Sequence, residues 1–378
     1  MPTHTPYIAV TAFDILAIMT VTGALSVRLW VLPKNTRALL HPRLWALVGL
    51  GLAALTASSL TLLVGRTAEM SQQSLAHVWH WLPLVVHETA FGHIWLIRPA
   101  ALIIMWAAWF LGRQSLRGQL ISGLLLALVA LVAFTRSATG HPADQGQWTF
   151  AEWIDWAHLM MGSVWAGSLV AMTVAVFPGL SAPKLPAAAR VRLVTNLSAL
   201  AATALAAVLV TGIWSAFHYL GAWNELWYSS YGRILLVKIS FVLAAIGLGA
   251  FNRFVCIPRI RRSAHAPEGP ISQSFLSPLS LLRRSVAIET ALLLATLVTA
   301  AVLLHAMPPQ TMQRANMASL SDGSKGARVR IEDAAWVIPQ TADHRLPVSA
   351  VHYGVLDFSR RKPYSTGPFK LTVGVTPL

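Results

Sequence analysis

The sequence has one cysteine, few charged residues and no motif typical of a soluble enzyme. Cys256 is the single thiol in 378 residues, so no disulfide can form within the chain and a site built from several thiolates is excluded. Charged residues make up only 11% of the chain. Because no Walker-type phosphate loop and no Ser/His/Asp or metal-hydrolase spacing is present, we expect neither ATP coupling nor enzymatic turnover.

Long apolar runs dominate the chain instead, and hydrophobic residues make up 55% of it. Eight runs approach the ~20 residues that a helix needs to cross a hydrocarbon core of about 30 Å. They lie near residues 7–32, 44–65, 94–111, 120–135, 153–178, 193–219, 234–257 and 285–307. No basic stretch or cleavage pattern marks the first as a signal peptide. The sequence therefore predicts an all-α integral membrane bundle of about eight transmembrane helices over residues 1–309.

Lys and Arg are distributed unevenly between the connections. Fourteen lie in the connections at 33–43, 112–119, 179–192 and 253–284, against three in the intervening ones. Since cytoplasmic loops carry the excess of Lys and Arg, we expect both termini on the outer side. The net charge of +15 is then mostly an orientation signal, and without a recognition motif it does not indicate nucleic-acid binding.

The composition changes after Pro309. Residues 310–378 alternate apolar and polar positions, with Pro and Gly between the short stretches. This pattern is typical of short strands and turns, so we predict a small β-rich domain on the outer surface.

Most of the histidines fall on the predicted outer side. His158, His218 and His305 lie within one or two turns of the membrane boundary, where an ionisable group is by default a functional candidate. His305 precedes two prolines, so we expect the last helical turn to be irregular there. Met307 follows, and thioethers together with imidazoles suit copper. The outer face is therefore predicted to hold a metal or cofactor site.

The fifth apolar segment has a polar stripe. Asp155, His158, Gly162 and Trp165 are spaced 3, 4 and 3, which places them on one helix face. We expect this face to point into the bundle, with Gly162 allowing a neighbouring helix to approach closely. Asp155 would orient or charge-compensate His158, as partners of metal ligands do.

Polar residues in the other segments give further predictions. His218 is expected at a depth similar to that of His158. In the seventh segment Lys238 heads a stripe of small residues that ends at Asn252, and Asp14 in the first segment is a possible partner for Lys238. Glu289 is expected near the inner side, either as an inner gate or exit or as a partner that caps Arg283 and Arg284 from within the helix.

The connection at 66–93 is rich in histidine and tryptophan. Its tryptophans fit an interfacial aromatic belt. We predict a short helix on the membrane surface that brings His87 and His93 over the mouth of the bundle.

Several motifs in order give the chain a family resemblance. Residues 89–98 read TAFGHIWLIR, and SATGH, DWAH, VWAG, YGRILLVK and GAFNR follow at 137–141, 155–158, 164–167, 231–238 and 249–253, before Glu289. Residues 7–309 thereby resemble the CopD family of bacterial copper-resistance inner-membrane proteins. The resemblance implies copper movement across that membrane, usually inward, and a periplasmic carrier of the CopC type as partner. The positions that match are His141, Asp155, His158, Trp165, Lys238, Asn252 and Glu289.

Two functional hypotheses stay open at this point. In the first, an outer site takes up copper, and oxygen-bearing side chains such as Asn196, Asn252 and Glu289 offer weaker sites toward the inside. The second is a membrane electron-transfer protein with one b-type haem between His158 and His218. A scaffold without copper is a third interpretation. The candidate ligands in the first are His158, His218, His87, His93, His141, His305 and Met307.

Overall fold

The computed structural model describes residues 4–113, 118–139, 148–180, 186–264, 271–306 and 308–311. Eight helices in this part of the chain are long and apolar enough to cross a membrane, which confirms the predicted bundle. The described residues contain helices and turns but no strand. The predicted β-rich tail lies outside the described residues, and the orientation of the bundle remains a prediction.

The eight candidate spans are built from eleven helices. Several spans combine two helices, because a π-helical turn or a short irregularity interrupts them. The helices are α1 (His4–Ser26), α2 (Arg37–Ser71), α3 (Leu82–Glu88), α4 (Ala90–Trp95), α5 (Ile97–Gly112), α6 (Gly118–Ser137), α7 (Phe150–Ala171), α8 (Phe177–Leu180), α9 (Ala187–Leu220), α10 (Glu225–Tyr228), α11 (Ser230–Phe251), α12 (Ile257–Ala264) and α13 (Ile271–Leu303), of which α3 and α10 belong to connections.

Several helices begin well before the predicted apolar segments. The helix α2 begins at Arg37, α9 at Ala187 and α13 at Ile271, whereas the apolar runs begin near residues 44, 193 and 285. Each of these leading segments contains arginine, which interrupts the apolar run, so an apolar pattern does not reveal them. The connections of this end are therefore shorter than predicted.

The helix α1 forms the centre of the bundle. It packs against α2 and α7 along most of its length, and also touches α6 and α13. Its tightest crossing is with α7, where Gly23 meets Gly167 backbone to backbone. A Cβ on Gly167 would lie only 2.0 Å from the carbonyl oxygen of Met19, so both positions require glycine.

The helices α9 and α11 lie at the periphery and pack against different neighbours. The first packs along α7 and the second along α13, while α9 and α11 are not among the closely packed pairs. The helices α7 and α13 do touch each other. The helices α9 and α11 are thus linked through α7 and α13, and α12, which continues the span of α11, packs on α9.

Three spanning helices contain a π-helical turn. These turns are Val27–Val31 after α1, Met172–Val176 after α7 and Asn252–Cys256 after α11. A π turn inserts an extra residue into the helix and is frequent at functional sites. Asn252, the first residue of the third turn, is also a predicted site residue.

Candidate functional site

The polar stripe of α7 faces the bundle, as predicted. Asp155 accepts a hydrogen bond of 2.7 Å from the hydroxyl of Ser137 at the end of α6. Lys238 on α11 interacts electrostatically with both Asp155 and His158. These residues lie near the end of the bundle that carries His77, His80, His87, His93 and His305, which we call the histidine end.

Thr211 on α9 orients the imidazole of His158. The two side chains are joined by a hydrogen bond of 2.9 Å between Nδ1 and Oγ1. The Thr211 hydroxyl also lies 2.7 Å from the carbonyl of Ala207, and when it donates there Nδ1 of His158 is the donor to Oγ1. The neutral ring then has its lone pair on Nε2, the form in which imidazole binds metals. Gly212 leaves room for this ring, because a Cβ there would lie 3.1 Å from its Cε1.

The stripe continues into open space and then into a second polar cluster. A Cβ built on Gly162 meets no atom within 4 Å, so the prediction that Gly162 lets another helix approach closely is wrong. The glycine instead leaves the face of α7 open between His158 and Trp165. Trp165, about two turns from His158, donates a hydrogen bond to the carboxylate of Glu289.

Glu289 is the centre of this second cluster. It is 3% exposed and lies near the middle of the span Pro278–Leu303, deeper in the bundle than the predicted inner gate. Asn252 donates from Nδ2 to its Oε2 at 3.1 Å, and Gly249 brings α11 close to Oε1. The Oδ1 atom of Asn252 is buried and has no hydrogen-bond partner among the described residues. A buried carboxylate at this depth is energetically costly, so Glu289 is a functional candidate by default.

Asp14 does not pair with Lys238, contrary to the prediction. Its buried carboxylate accepts two hydrogen bonds from Arg98, at 3.0 and 3.1 Å, and one from Ser58 at 2.7 Å. Arg136 reaches the same carboxylate at 3.3 Å and also interacts electrostatically with Asp155. The Asp14 cluster and the Asp155 cluster are therefore linked by Arg136.

Family comparisons agree with the motifs that the site contains. Residues 1–150 match the family model described as "Copper resistance protein D-like, N-terminal domain", and residues 191–303 match "Copper resistance protein D". The chain belongs to the copper resistance protein D family. The resemblance inferred from the motifs is thereby confirmed.

Two curated members of this family group are similar to the chain. Copper resistance protein D of Pseudomonas syringae pv. tomato is 30% identical over 200 residues, which cover 50% of this chain and 63% of that protein. Copper transport protein CutJ of Bacillus subtilis (strain 168) is 28% identical over 220 residues, or 57% of this chain and 36% of that protein. The chain thus spans less than two thirds of the length of either relative. No solved structure matches it.

Six of the seven positions that the CopD resemblance singled out lie in the two clusters. Asp155, His158 and Lys238 form the first, and Trp165, Asn252 and Glu289 form the second. The seventh, His141, lies outside the described residues. The open face at Gly162 separates the two clusters.

The other predicted ligands are spread over the histidine end. His218 stacks on Trp214 with ring centroids 4.7 Å apart. It lies seven residues beyond Thr211, a rise of about 10 Å along α9, so its ring is not at the depth of His158 as predicted. This difference removes the geometric basis for a haem held between the two rings.

His305, His93 and His87 mark the surface of the same end. The helix α13 ends at Leu303, so the predicted irregular turn before the prolines is confirmed, and His305 binds Thr11 of α1 at 3.1 Å. The predicted short helix is present as α3, and His93 donates from Nε2 to the backbone carbonyl of His87 at 2.7 Å. Met307 lies outside the described residues. Within the described part of the chain, no three or more His, Cys, Asp or Glu form a group able to hold a metal ion.

Sequence reasoning missed three residues that organise the site. Arg98 lies in a candidate membrane span and is fully buried, and its position inside an apolar stretch was a usable signal. Arg136 is one of the three Lys and Arg in the intervening connections, where a basic residue gives no signal of a buried contact. Thr211 shares a helix face with His218, but nothing in the sequence links it to His158 across two helices.

Proposed function

We propose that this chain transports copper across the membrane, with the histidine end as its intake and uptake as its direction. The observation that carries the proposal is the open face of α7 at Gly162, which lies along that helix between His158 and Trp165 of the Glu289 cluster. A polar route of this kind inside an apolar bundle marks an ion pathway by default. The family names of the relatives, copper resistance and copper transport, supply the ion.

His158 is the first buried ligand in this proposal. Thr211 holds its ring so that the Nε2 lone pair is available, and imidazole binds both oxidation states of copper. Lys238 and Arg136 balance Asp155 before the ion arrives. A copper ion at His158 competes with Lys238 for that carboxylate, so binding has an electrostatic cost that keeps it weak enough for release.

Glu289 is the next binding site on the proposed route. Its carboxylate receives hydrogen bonds from neutral donors only among the described contacts, Trp165 and Asn252, so the site gives a passing cation a negative charge without a competing cation. Oxygen is a weaker ligand for copper than imidazole nitrogen or sulfur. The ion would therefore be held weakly here and move on.

The surface histidines would capture copper before it reaches His158. His87, His93 and His305 are exposed at the histidine end, and His218, His141 and Met307 complete the proposed capture set. The excess of Lys and Arg at the other end supports a bacterial inner-membrane location with the histidine end in the periplasm. A periplasmic carrier of the CopC type would then deliver copper to this end.

Filling the open face tests the proposal. Gly162→Leu places a side chain between His158 and Trp165, where no atom now stands within 4 Å, so the protein should fold while the route is blocked. Copper uptake into proteoliposomes, followed by metal analysis, should fall to the rate of protein-free vesicles. Gly123→Leu on α6 is the matched control, since Gly123 also has nothing within 4 Å and is exposed. Equal uptake by both variants would rule out this route.

A further inference from the structure

An open pocket, which we call the cavity, lies at the end of the bundle opposite the histidine end. Its volume is about 450 Å³, and Pro33, Lys34, Arg192 and Asn196 line it. Pro33 and Lys34 follow directly after the first candidate span, which ends at Val31, and Arg192 and Asn196 lie in the first turns of α9. The cavity is therefore at the membrane boundary, and its size is within the roughly 300–1,000 Å³ typical of small-ligand sites.

The wall of this cavity is a structured turn. Asn196 donates from Nδ2 to the carbonyl of Val31 at 3.2 Å, which ties α9 to the end of the first span. Thr36 donates from its hydroxyl to the carbonyl of Pro33 at 2.8 Å. Arg37 donates to the carbonyls of Leu32 and Leu29, at 3.3 and 3.2 Å. These bonds order the backbone turn that carries Lys34, and Lys34 and Arg192 line the same cavity.

The two cations of the cavity have no anionic partner within the described residues. Neither Lys34 nor Arg192 forms an ion pair there. Of the fourteen Asp and Glu in the chain, only Glu268 falls in the four connections that hold fourteen Lys and Arg. Negative charge at this end must therefore come mainly from outside the chain.

We propose that the cavity binds the phosphate group of an anionic phospholipid. Lys34 and Arg192 supply charge-assisted hydrogen bonds to the phosphate oxygens. Basic pockets between transmembrane helices bind anionic head groups in this way, whereas a zwitterionic head group also carries a cation that offsets its phosphate and therefore gains less from them. The acyl chains would lie along the apolar surface between the first span and α9. This inference does not depend on the proposed transport of copper.

Native mass spectrometry of the full chain in detergent tests the proposal. Phosphatidylglycerol and phosphatidylcholine are added separately, and the bound fraction is measured. The double variant Lys34→Gln/Arg192→Gln should bind phosphatidylglycerol more weakly by about five-fold for each cation removed, while phosphatidylcholine binding falls by much less because its choline cation offsets the phosphate. The matched control is Arg259→Gln/Arg262→Gln, which removes the same charge from exposed positions on α12 and should bind as the unaltered chain does.

Each outcome decides the proposal. Equal losses in the two double variants, or equal binding of the two lipids, would overturn it, because the cavity would then contribute no more than net charge. Inorganic phosphate is added as a competitor. If it displaces the lipid, the cavity recognises the phosphate group, and free phosphate can occupy the same place. Lys34 lies in an exposed turn, so the single variant Lys34→Gln should fold. It gives the same comparison if the double variant does not fold.

Discussion

Arg98 and Asp14 form a fully buried ion pair between the first and third spans. The guanidinium donates from Nη1 to Oδ1 at 3.0 Å and from Nη2 to Oδ2 at 3.1 Å, and both side chains are 0% exposed. Arg98 also donates to Thr135 of α6 and stacks over the ring of Trp95. One carboxylate therefore holds several helices at the histidine end.

Asp14→Ala should destabilise the bundle strongly. It leaves Arg98 buried without a counter-charge, a change that costs about 3–5 kcal/mol in proteins. The midpoint of thermal unfolding in detergent measures the effect. Glu69→Ala is the control, because the Glu69 pair with Arg66 is on the surface and is worth about 1 kcal/mol or less. Equal shifts in the two variants would show that the buried pair does not hold the helices.

The crossing of α1 and α7 gives a second stability prediction. Gly167→Ala puts a Cβ 2.0 Å from the carbonyl oxygen of Met19, which no rotation of a side chain can relieve. We expect the two helices to separate and the protein to aggregate or to lose at least several degrees in unfolding temperature.

Gly162→Ala on the same helix is the control for this crossing. Gly162 has open space around its Cα, and alanine is the better helix former, so this variant should be as stable as the unaltered chain or slightly more stable. Both glycines lie within α7, so both substitutions make the same change in helix propensity and differ in the contact that the Cβ meets. A stable Gly167→Ala variant would contradict the close crossing.

The spans of the fold follow from the sequence because burial in lipid demands long apolar helices. Eight such runs predict eight spanning helices, and only their polar first turns, as at Arg37 and Ala187, lie beyond what hydropathy detects. The pairing of buried charges, in contrast, does not follow from the sequence. Asp14 and Lys238 are both intramembrane charges, but the sequence does not say which helices are neighbours, and Arg98 rather than Lys238 is across from Asp14.

In the site, too, the sequence predicts which residues share a helix face but not which helices are neighbours. The stripe of α7 follows from helical periodicity and is confirmed to face the bundle, since Asp155, His158 and Trp165 each bind a neighbouring helix. Whether Gly162 serves contact or leaves space depends on the partner helix, which periodicity cannot reveal. The depth of His218 failed as a prediction because residue counts from a span boundary carry an error of several residues.

Thr211→Val should weaken copper binding at His158. Valine keeps the shape of threonine but cannot accept the hydrogen bond from Nδ1, so the ring loses its fixed orientation and tautomer. Loss of such a partner lowers metal affinity by roughly 10- to 100-fold. Titration of the purified protein with copper measures the change.

Two variants separate this effect from a general loss of stability. Thr211→Ser keeps the hydroxyl and should restore binding. Thr203→Val on the same helix removes an exposed hydroxyl that bonds only its own backbone, and it should bind copper normally. If Thr211→Val binds as tightly as Thr203→Val does, His158 is not the ligand that the proposed route requires.

Glu289→Gln should stop transport without damaging the fold. Glutamine can still accept the hydrogen bonds from Trp165 and Asn252, and its amide can donate to the buried Oδ1 of Asn252, which now has no partner among the described residues. The unfolding temperature should therefore stay the same or rise. Uptake should fall by about 10- to 100-fold, since an interaction with a charged group is worth roughly 1.5–3 kcal/mol.

Thr290→Val is the control for the Glu289 variant. It removes the hydroxyl contact with Thr173 at 3.2 Å, one residue away on α13, and leaves the carboxylate in place. This variant should transport copper normally even if it is somewhat less stable. Normal uptake by Glu289→Gln would instead mean that the carboxylate serves packing alone, because its charge is the one property that the substitution removes while the hydrogen bonds remain.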